Sequence, residues 1–181
     1  MYEGGAARGA TALARIASGA RLRAALLVTR ATPLRGSGDV AGGSAPGQVR
    51  VVADHLNVSG GSLFPAPGMV SAGWDATLTE RLGSLRGVSG SSVVALVPGP
   101  LRPSPAESRA LVSLGADAAV TDSVAEAMVL ASRGVAVSAL TYLDAPAAGG
   151  NLGRAQLSLR QASGVTLAAV EEILRSLRAG S

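Results

Sequence analysis

The sequence predicts an α/β fold of three layers, in which a mostly parallel or mixed central β-sheet is flanked by helices. Short apolar runs alternate along the chain with segments of helical periodicity, which is the order of elements in such layered folds. Turns rich in Gly and Pro separate these segments. Hydrophobic residues make up 48% of the 181 residues, which is enough for one sizeable core. We therefore expect residues 1–181 to form a single domain.

The strands are predicted from short apolar runs that end at turn residues or at polar side chains. Such runs are typical of strands buried on both faces, and the last of them is rich in β-branched residues. The predicted strands are Ala24–Thr29, Val49–Ala53, Ser92–Val97, Asp117–Val120 and Val135–Leu143.

The helices are predicted from apolar residues spaced three or four apart. Pro105 stands at a favourable first helical position, and Gly115 and Gly134 follow two of the segments as C-terminal signals. In the longest helix Leu167, Val170, Leu174 and Leu177 form the apolar stripe, the side that a surface helix usually turns toward the core. The predicted helices are Ala10–Leu22, Ala76–Leu85, Ala106–Leu114, Val124–Arg133 and Leu157–Arg178.

The composition excludes several kinds of site. Cys is absent, which excludes disulfides, thiolate zinc sites and cysteine nucleophiles. His55 is the one histidine, so a site that needs two imidazoles is excluded. All 16 basic residues are Arg, which excludes a Schiff-base lysine and a Walker-type phosphate lysine. The arginines are scattered and lack an aromatic platform, so the net charge of +4 does not predict nucleic-acid binding.

The apolar runs are too short for a membrane span. The longest, such as Ala24–Val28 and Val93–Val97, fall far below the length that crosses a bilayer. The first residues show no basic segment followed by an apolar one, so no signal peptide is evident. We expect a cytoplasmic protein with no membrane partner.

Polar side chains follow the predicted strands, where ligands gather in α/β folds. Asp122 and Asp144 fit either a two-carboxylate acid–base site or two loop aspartates that cap helices. His55 fits a general base beside Asp54 or a structural histidine at a strand end. The segment Gly36–Gly38 fits a phosphate cradle or a plain loop, since its spacing matches neither established nucleotide motif. The candidates at the strand ends are Arg30, Asp54, His55, Arg102, Asp122 and Asp144.

Four stretches of the chain share their order and spacing with one known family. They carry a Tyr-Glu-Gly motif, an Asp-His-x-Asn strand end, a Gly-Pro followed by Ala-Glu-x-Arg, and a Leu-Gly-Ala-Asp-Ala segment. In this chain they are Met1–Gly4, Val52–Asn57, Gly99–Arg109 and Leu114–Leu143. Together they resemble the trimeric purine nucleoside phosphorylases, a family that includes methylthioadenosine phosphorylases.

The resemblance implies a reaction and an assembly. The family splits purine nucleosides with inorganic phosphate into free base and ribose 1-phosphate. It implies a homo-oligomer, a trimer, with no cofactor beyond phosphate as co-substrate. The family's first strand and its Gly-rich phosphate loop precede the Tyr-Glu-Gly motif. We therefore expect a single phosphorylase-like domain that lacks both.

Carried over position by position, the family's site is largely replaced. Tyr2 matches the ribose-side tyrosine, and Ala31 matches a phosphate-contacting backbone position. Arg30 stands for the family's Asn, and Pro33 and Leu34 for its two glycines. The remaining replacements are Arg102 for the purine-stacking Phe, Pro103 for the purine-binding Glu, Thr121 for the Met beneath the ribose, Asp122 for the phosphate-binding Ser, Asp144-Ala145 for the Thr-Asn pair on the purine, and Gly153 nearest to the late histidine.

These replacements leave three hypotheses. The first is a phosphorylase-like enzyme whose activity is weak or lost. The second is a non-catalytic homologue with a structural or interaction role. The third is a binding site for a different ligand, formed by charged side chains at the strand ends, namely Arg30, Arg102, Asp122 and Asp144.

Overall fold

The computed structural model describes residues 12, 15–16, 19–34, 46–59, 73–98, 102–144 and 152–179, and for residues 152–159 it describes the backbone alone. Of the sequence candidates, Tyr2, the segment Gly36–Gly38 and Ala145 lie outside the described residues. Positions 12, 15, 16, 19 and 20 of the first predicted helix are helical. The strands are β1 Ala24–Pro33, β2 Val49–Asn57, β3 Val88–Leu96, β4 Ala118–Val120 and β5 Ala136–Leu143; the helices are α1 Ala76–Gly83, α2 Pro105–Ser113, α3 Val124–Ala131 and α4 Leu152–Ala179.

The strands form a mixed sheet in the order β4-β3-β2-β5-β1. β4, β3 and β2 are parallel to one another, as are β5 and β1, and the two groups meet in an antiparallel pairing of β2 with β5. The end of β1 also pairs antiparallel with β4, through Thr32 and Pro33. The predicted α/β fold is confirmed. Because the two groups run in opposite directions, the carboxyl ends of β1 and β5 lie opposite to those of β2, β3 and β4.

Helices cover both faces of the sheet, which gives the three layers. α3 covers one face, where Val124, Ala127 and Leu130 pack on alternate strand residues such as Val94 and Val137. The other face carries α1, α4 and α2. Its buried side chains form two clusters, one of Val51, Leu78, Leu82, Leu140, Val165 and Ile173 with their neighbours, and one of Ala95, Val97, Leu111, Ala116 and Ala119 with Leu34.

The core-facing side of α4 differs from the predicted stripe. The side that packs on the sheet is Val165, Ala169 and Ile173, all 7% exposed or less. Leu167, Val170 and Leu174 are exposed by 66%, 41% and 48%, whereas Leu177 is partly buried against the core. Three members of the predicted stripe are therefore on the wrong side. α4 carries two apolar stripes, and hydrophobic spacing alone does not say which of them meets the sheet.

Three strands extend beyond their predicted bounds because hydrogen-bonded neighbours continue them. β1 runs on to Pro33 through its pairing with β4. β2 runs on to Asn57 because Asp54–Asn57 pair with β3, and β3 begins at Val88. α4 begins at Leu152 rather than Leu157.

Candidate functional site

The end of β1 carries an ion pair with the residue that follows β5. The backbone N–H of Asp144 donates to the carbonyl of Ala31 at 2.8 Å, which fixes Asp144 beside β1. Arg30 then donates to Asp144 Oδ1 from Nη2 at 2.8 Å and from Nε at 3.2 Å. The hydrogen bond to Asp144 and its charge raise the pKa of Arg30. The structure therefore unites two sequence candidates, Arg30 and Asp144.

Asp122 lies on the other side of Ala31, beside the middle of β1. Its Oδ1 accepts a hydrogen bond from the hydroxyl of Thr29, which is buried in the sheet. Thr29 is paired in register with Thr141 of β5, so both side chains lie on the face that α3 covers. Thr141 is fully buried, and its Oγ1 has no hydrogen-bond partner among the described residues.

The contacts of Asp122 decide between the sequence alternatives for it. The N-cap of α3 is Ser123, in the left-handed region with φ of 68°, and it makes no side-chain cap hydrogen bond. Asp122 therefore does not serve as the helix cap. Its carboxylate bonds to Thr29, whereas that of Asp144 is paired with Arg30, so the two acids have separate partners. Because the two carboxylates are held by different partners, the arrangement does not favour an acid–base pair of Asp122 and Asp144.

His55 is held by neighbours on two sides. Trp74 Nε1–H donates to His55 Nδ1 at 3.3 Å, and the two rings meet edge to face. The Asp54 carboxylate accepts from the backbone N–H of His55 at 2.7 Å, while its Oδ1 lies 4.0 Å from Nδ1. Burial lowers the pKa of His55, and the charge of Asp54 opposes that effect in part. His55 fits the structural reading, with a neutral ring that accepts from the indole.

The remaining candidates are not joined to one another by a side-chain hydrogen bond or ion pair among the described residues, so they do not define a pocket. Thr121 and Arg102 are exposed, Pro103 is half-buried, and Ala31 is buried in β1. Sequence reasoning missed Thr29, Thr141 and Trp74. The two hydroxyls could have been found, since each threonine directly follows apolar residues within a predicted strand.

The described part of the chain holds no group of three or more His, Cys, Asp or Glu side chains placed to bind a metal ion. Among the helices described, none is both long enough and apolar enough to cross a bilayer. A shallow groove of about 360 Å³ lies between α1 and α4, lined by Arg81 and Glu172 with Glu80, Ser84 and Leu85. There Arg81 bridges to Glu172 at 3.5 Å.

No protein-family model and no curated protein sequence matches the chain, whereas solved structures do. Schistosoma purine nucleoside phosphorylase in complex with guanosine matches with a TM-score of 0.68 and 18% identity, over 91% of this chain and 66% of that one. The Schistosoma mansoni enzyme in complex with inosine matches with a TM-score of 0.66 and 17% identity, over 89% and 64%. A variant of adenosine/methylthioadenosine phosphorylase from Schistosoma mansoni, in complex with adenine, matches with a TM-score of 0.68 and 13% identity, over 88% and 66%.

These matches agree with the resemblance drawn from the sequence motifs. This chain spans about two thirds of the length of the solved structures that it matches, 64–66% of the first two. The chain therefore has the fold of the purine nucleoside phosphorylases.

Proposed function

We propose that this chain is a purine nucleoside phosphorylase-like protein in which phosphorolysis is weak or lost. The fold supports the first part of the proposal. The contact between Asp122 and Thr29 supports the second, because it puts a carboxylate where the resemblance places the phosphate-binding serine.

A carboxylate at that position acts against the co-substrate. Phosphate is held in such sites by backbone N–H groups, hydroxyls and cations. Two unit charges of the same sign 4 Å apart repel by about 4 kcal/mol at an effective dielectric constant of 20. The Thr29 hydroxyl donates to Asp122 and holds its carboxylate beside β1. Arg30 offers little compensation, since its guanidinium is already paired with Asp144.

The same comparison of motifs indicates that the purine side of the site is also altered. A departing purine needs groups that stabilise negative charge on the ring, and the resemblance places Pro103 and Ala145 where the family has Glu and Asn. Neither side chain can donate or accept a hydrogen bond. Each lost transition-state contact of this kind lowers a rate on the order of 10²–10³-fold. Several together would leave little turnover.

An interaction role is the second candidate, and the exposed stripe of α4 favours it. Leu167, Val170 and Leu174 lie along one side of a helix whose opposite side is already packed on the sheet. A homo-oligomer, a trimer by resemblance, and a cytoplasmic location remain part of the proposal. So does binding of a different charged ligand at the ends of β1 and β5.

The direct test is release of the base. Purified protein is incubated with inosine or guanosine and phosphate, and free hypoxanthine or guanine is followed by chromatography. The proposal predicts release at or near the rate without protein. Turnover that depends on phosphate and exceeds this background many-fold would contradict the loss of activity.

Restoring the family's side chains provides the converse test. The triple variant Asp122→Ser, Pro103→Glu and Ala145→Asn should raise base release above that of the unmodified chain. The control is Glu171→Ser, which removes a negative charge from an exposed position on α4 and should change nothing. A triple variant that folds normally and shows no gain would contradict the placement of these three positions in a nucleoside site.

A further inference from the structure

The contact between His55 and Trp74 joins the only histidine to the only tryptophan of the chain. The indole N–H donates to Nδ1 of the imidazole at 3.3 Å, with ring centroids 6.1 Å apart and planes at 80°. Trp74 is 7% exposed and belongs to the core cluster under α3. The contact therefore ties the end of β2 to the turn that leads into α1.

This hydrogen bond depends on the protonation state of His55. An indole N–H can only donate, so it needs an unprotonated nitrogen as acceptor. When His55 is neutral, Nδ1 supplies its lone pair and the proton resides on Nε2. When His55 is protonated, both nitrogens carry hydrogen and Nδ1–H would face the indole N–H. The two donors cannot remain in contact.

Asp54 offers the protonated ring another partner. Its Oδ1 lies 4.0 Å from the same Nδ1, which is beyond a hydrogen bond but within reach after a small rotation. Among the described residues, the other elements near His55 present few charges: β3 places Val94 in register with it, and α3 contributes Met128 and carries Glu126 as its one acid. Asp75, which follows Trp74, already accepts from the backbone N–H of Leu78.

The turn that Trp74 occupies is tightly packed and joined to α1. A methyl group added to Gly73 would lie 2.6 Å from Met128 Sδ and 3.9 Å from His55 Cε1. Asp75 N–H donates to the carbonyl of Val137 at 2.6 Å, and its side chain caps α1. A displacement of Trp74 therefore reaches the first residues of α1, the helix that packs on the opposite face of the sheet.

We propose that His55 and Trp74 form a pH-sensitive latch, in which neutral His55 holds the indole and the turn at residues 73–75, and protonated His55 turns to Asp54 and releases them. Burial of the imidazole lowers its pKa from the ordinary value of 6.5, so release sets in on the acid side of 6.5. Above that value the latch stays closed.

The sole tryptophan and the sole histidine can both be observed directly. The tryptophan emission of the full chain is recorded from pH 8 to pH 5, together with far-ultraviolet circular dichroism. The imidazole Cε1 proton is followed by NMR over the same range. The latch predicts that emission moves to longer wavelength and loses intensity with the midpoint of the imidazole titration, below 6.5, while the helical signal is kept. An emission maximum that stays constant while the imidazole titrates would overturn it.

Three variants complete the test. His55→Gln keeps an acceptor that does not titrate, so its emission should be constant with pH; a transition that persists would overturn the proposal. Trp74→Phe removes the donor that favours the neutral ring, so the NMR midpoint should rise; an unchanged midpoint would also overturn it. Asp54→Asn should lower the midpoint, because the charge of Asp54 raises the pKa of His55, whereas Glu171→Gln on α4 serves as the control and should leave it in place.

Discussion

The two faces of the sheet are built by the same strands but differ in how many polar contacts they hold. On the face of α1 and α4, the cluster around Leu82, Leu140 and Ile173 is apolar, and beside it the buried hydroxyl of Ser138 is hydrogen-bonded to that of Thr79 on α1. On the face of α3, hydroxyls and the imidazole–indole contact stand among the apolar residues, with Asp122 bonded to Thr29 at its border.

The two faces differ in how strictly their buried side chains must be placed. Burial of apolar surface has no preferred direction, so many arrangements of Ala, Val and Leu can fill the face of α1 and α4. A buried hydroxyl or imidazole needs a partner at one distance and angle. The polar groups of the α3 face therefore restrict the residue types and geometry there more than apolar packing alone would.

The largest effect is expected from the packed side of α4, where two neighbouring residues can be compared. Ile173→Ala should destabilise the protein by about 2–5 kcal/mol, because Ile173 is buried against the sheet. Leu174→Ala should change the free energy of unfolding by less than about 0.5 kcal/mol, since Leu174 is largely exposed. Urea unfolding measures both. Equal losses would mean that the exposed stripe is covered in the folded protein.

A smaller effect is expected from the two threonines paired across β1 and β5. Thr29→Val removes the hydrogen bond to Asp122 and should cost about 1–2 kcal/mol in urea unfolding. Thr141→Val removes a buried hydroxyl that has no partner among the described residues, and should leave stability unchanged or raise it by about 1 kcal/mol. A substantial loss in Thr141→Val would show that its hydroxyl has a partner in solution.

The smallest effect is expected at the helix N-termini that belong to the two faces. Ser104 and Glu107 form a reciprocal capping box at α2, whereas Ser123 caps no amide of α3. Ser104→Ala should cost about 1 kcal/mol in thermal or urea unfolding, and Ser123→Ala well under half of that. Equal costs would contradict the difference between the two termini.

The capping box also gives a pH dependence with a definite sign. Hydrogen bonds from the backbone and side chain of Ser104 lower the pKa of Glu107 from its ordinary value of 4.5. The contribution of the Glu107 carboxylate to the stability of the fold is therefore complete above pH 4.5, and it is lost as the pH falls through the lowered pKa. In Ser104→Ala this part of the acid dependence should shrink.

The sequence predicts the fold better than the site. Alternating runs were enough to place five strands and the last four helices, and the four motif stretches together pointed to a known fold. The side of α4 that faces the sheet was missed because Leu167 and Ile173 are equally apolar, and the strands that α4 meets decide between them. The ends of β1 and β2 were missed because their pairing with distant strands extends them past the apolar run.

The contacts of the candidate site depend on register, which one-dimensional patterns do not contain. Arg30 and Asp144 were both identified as candidates, but their pairing follows from the parallel register of β1 with β5. Trp74 was not identified, since nothing near it in the sequence indicates that it reaches His55 across 19 positions. Local residue types suggest the participants, and the sheet selects which of them meet.

The most direct test of the role assigned to Asp122 is the affinity for inorganic phosphate, measured by titration calorimetry in the presence of inosine. The unmodified chain is expected to give no saturable heat at millimolar phosphate, whereas Asp122→Ser is expected to bind. Binding by the unmodified chain as tight as that of the serine variant would contradict the role assigned to Asp122.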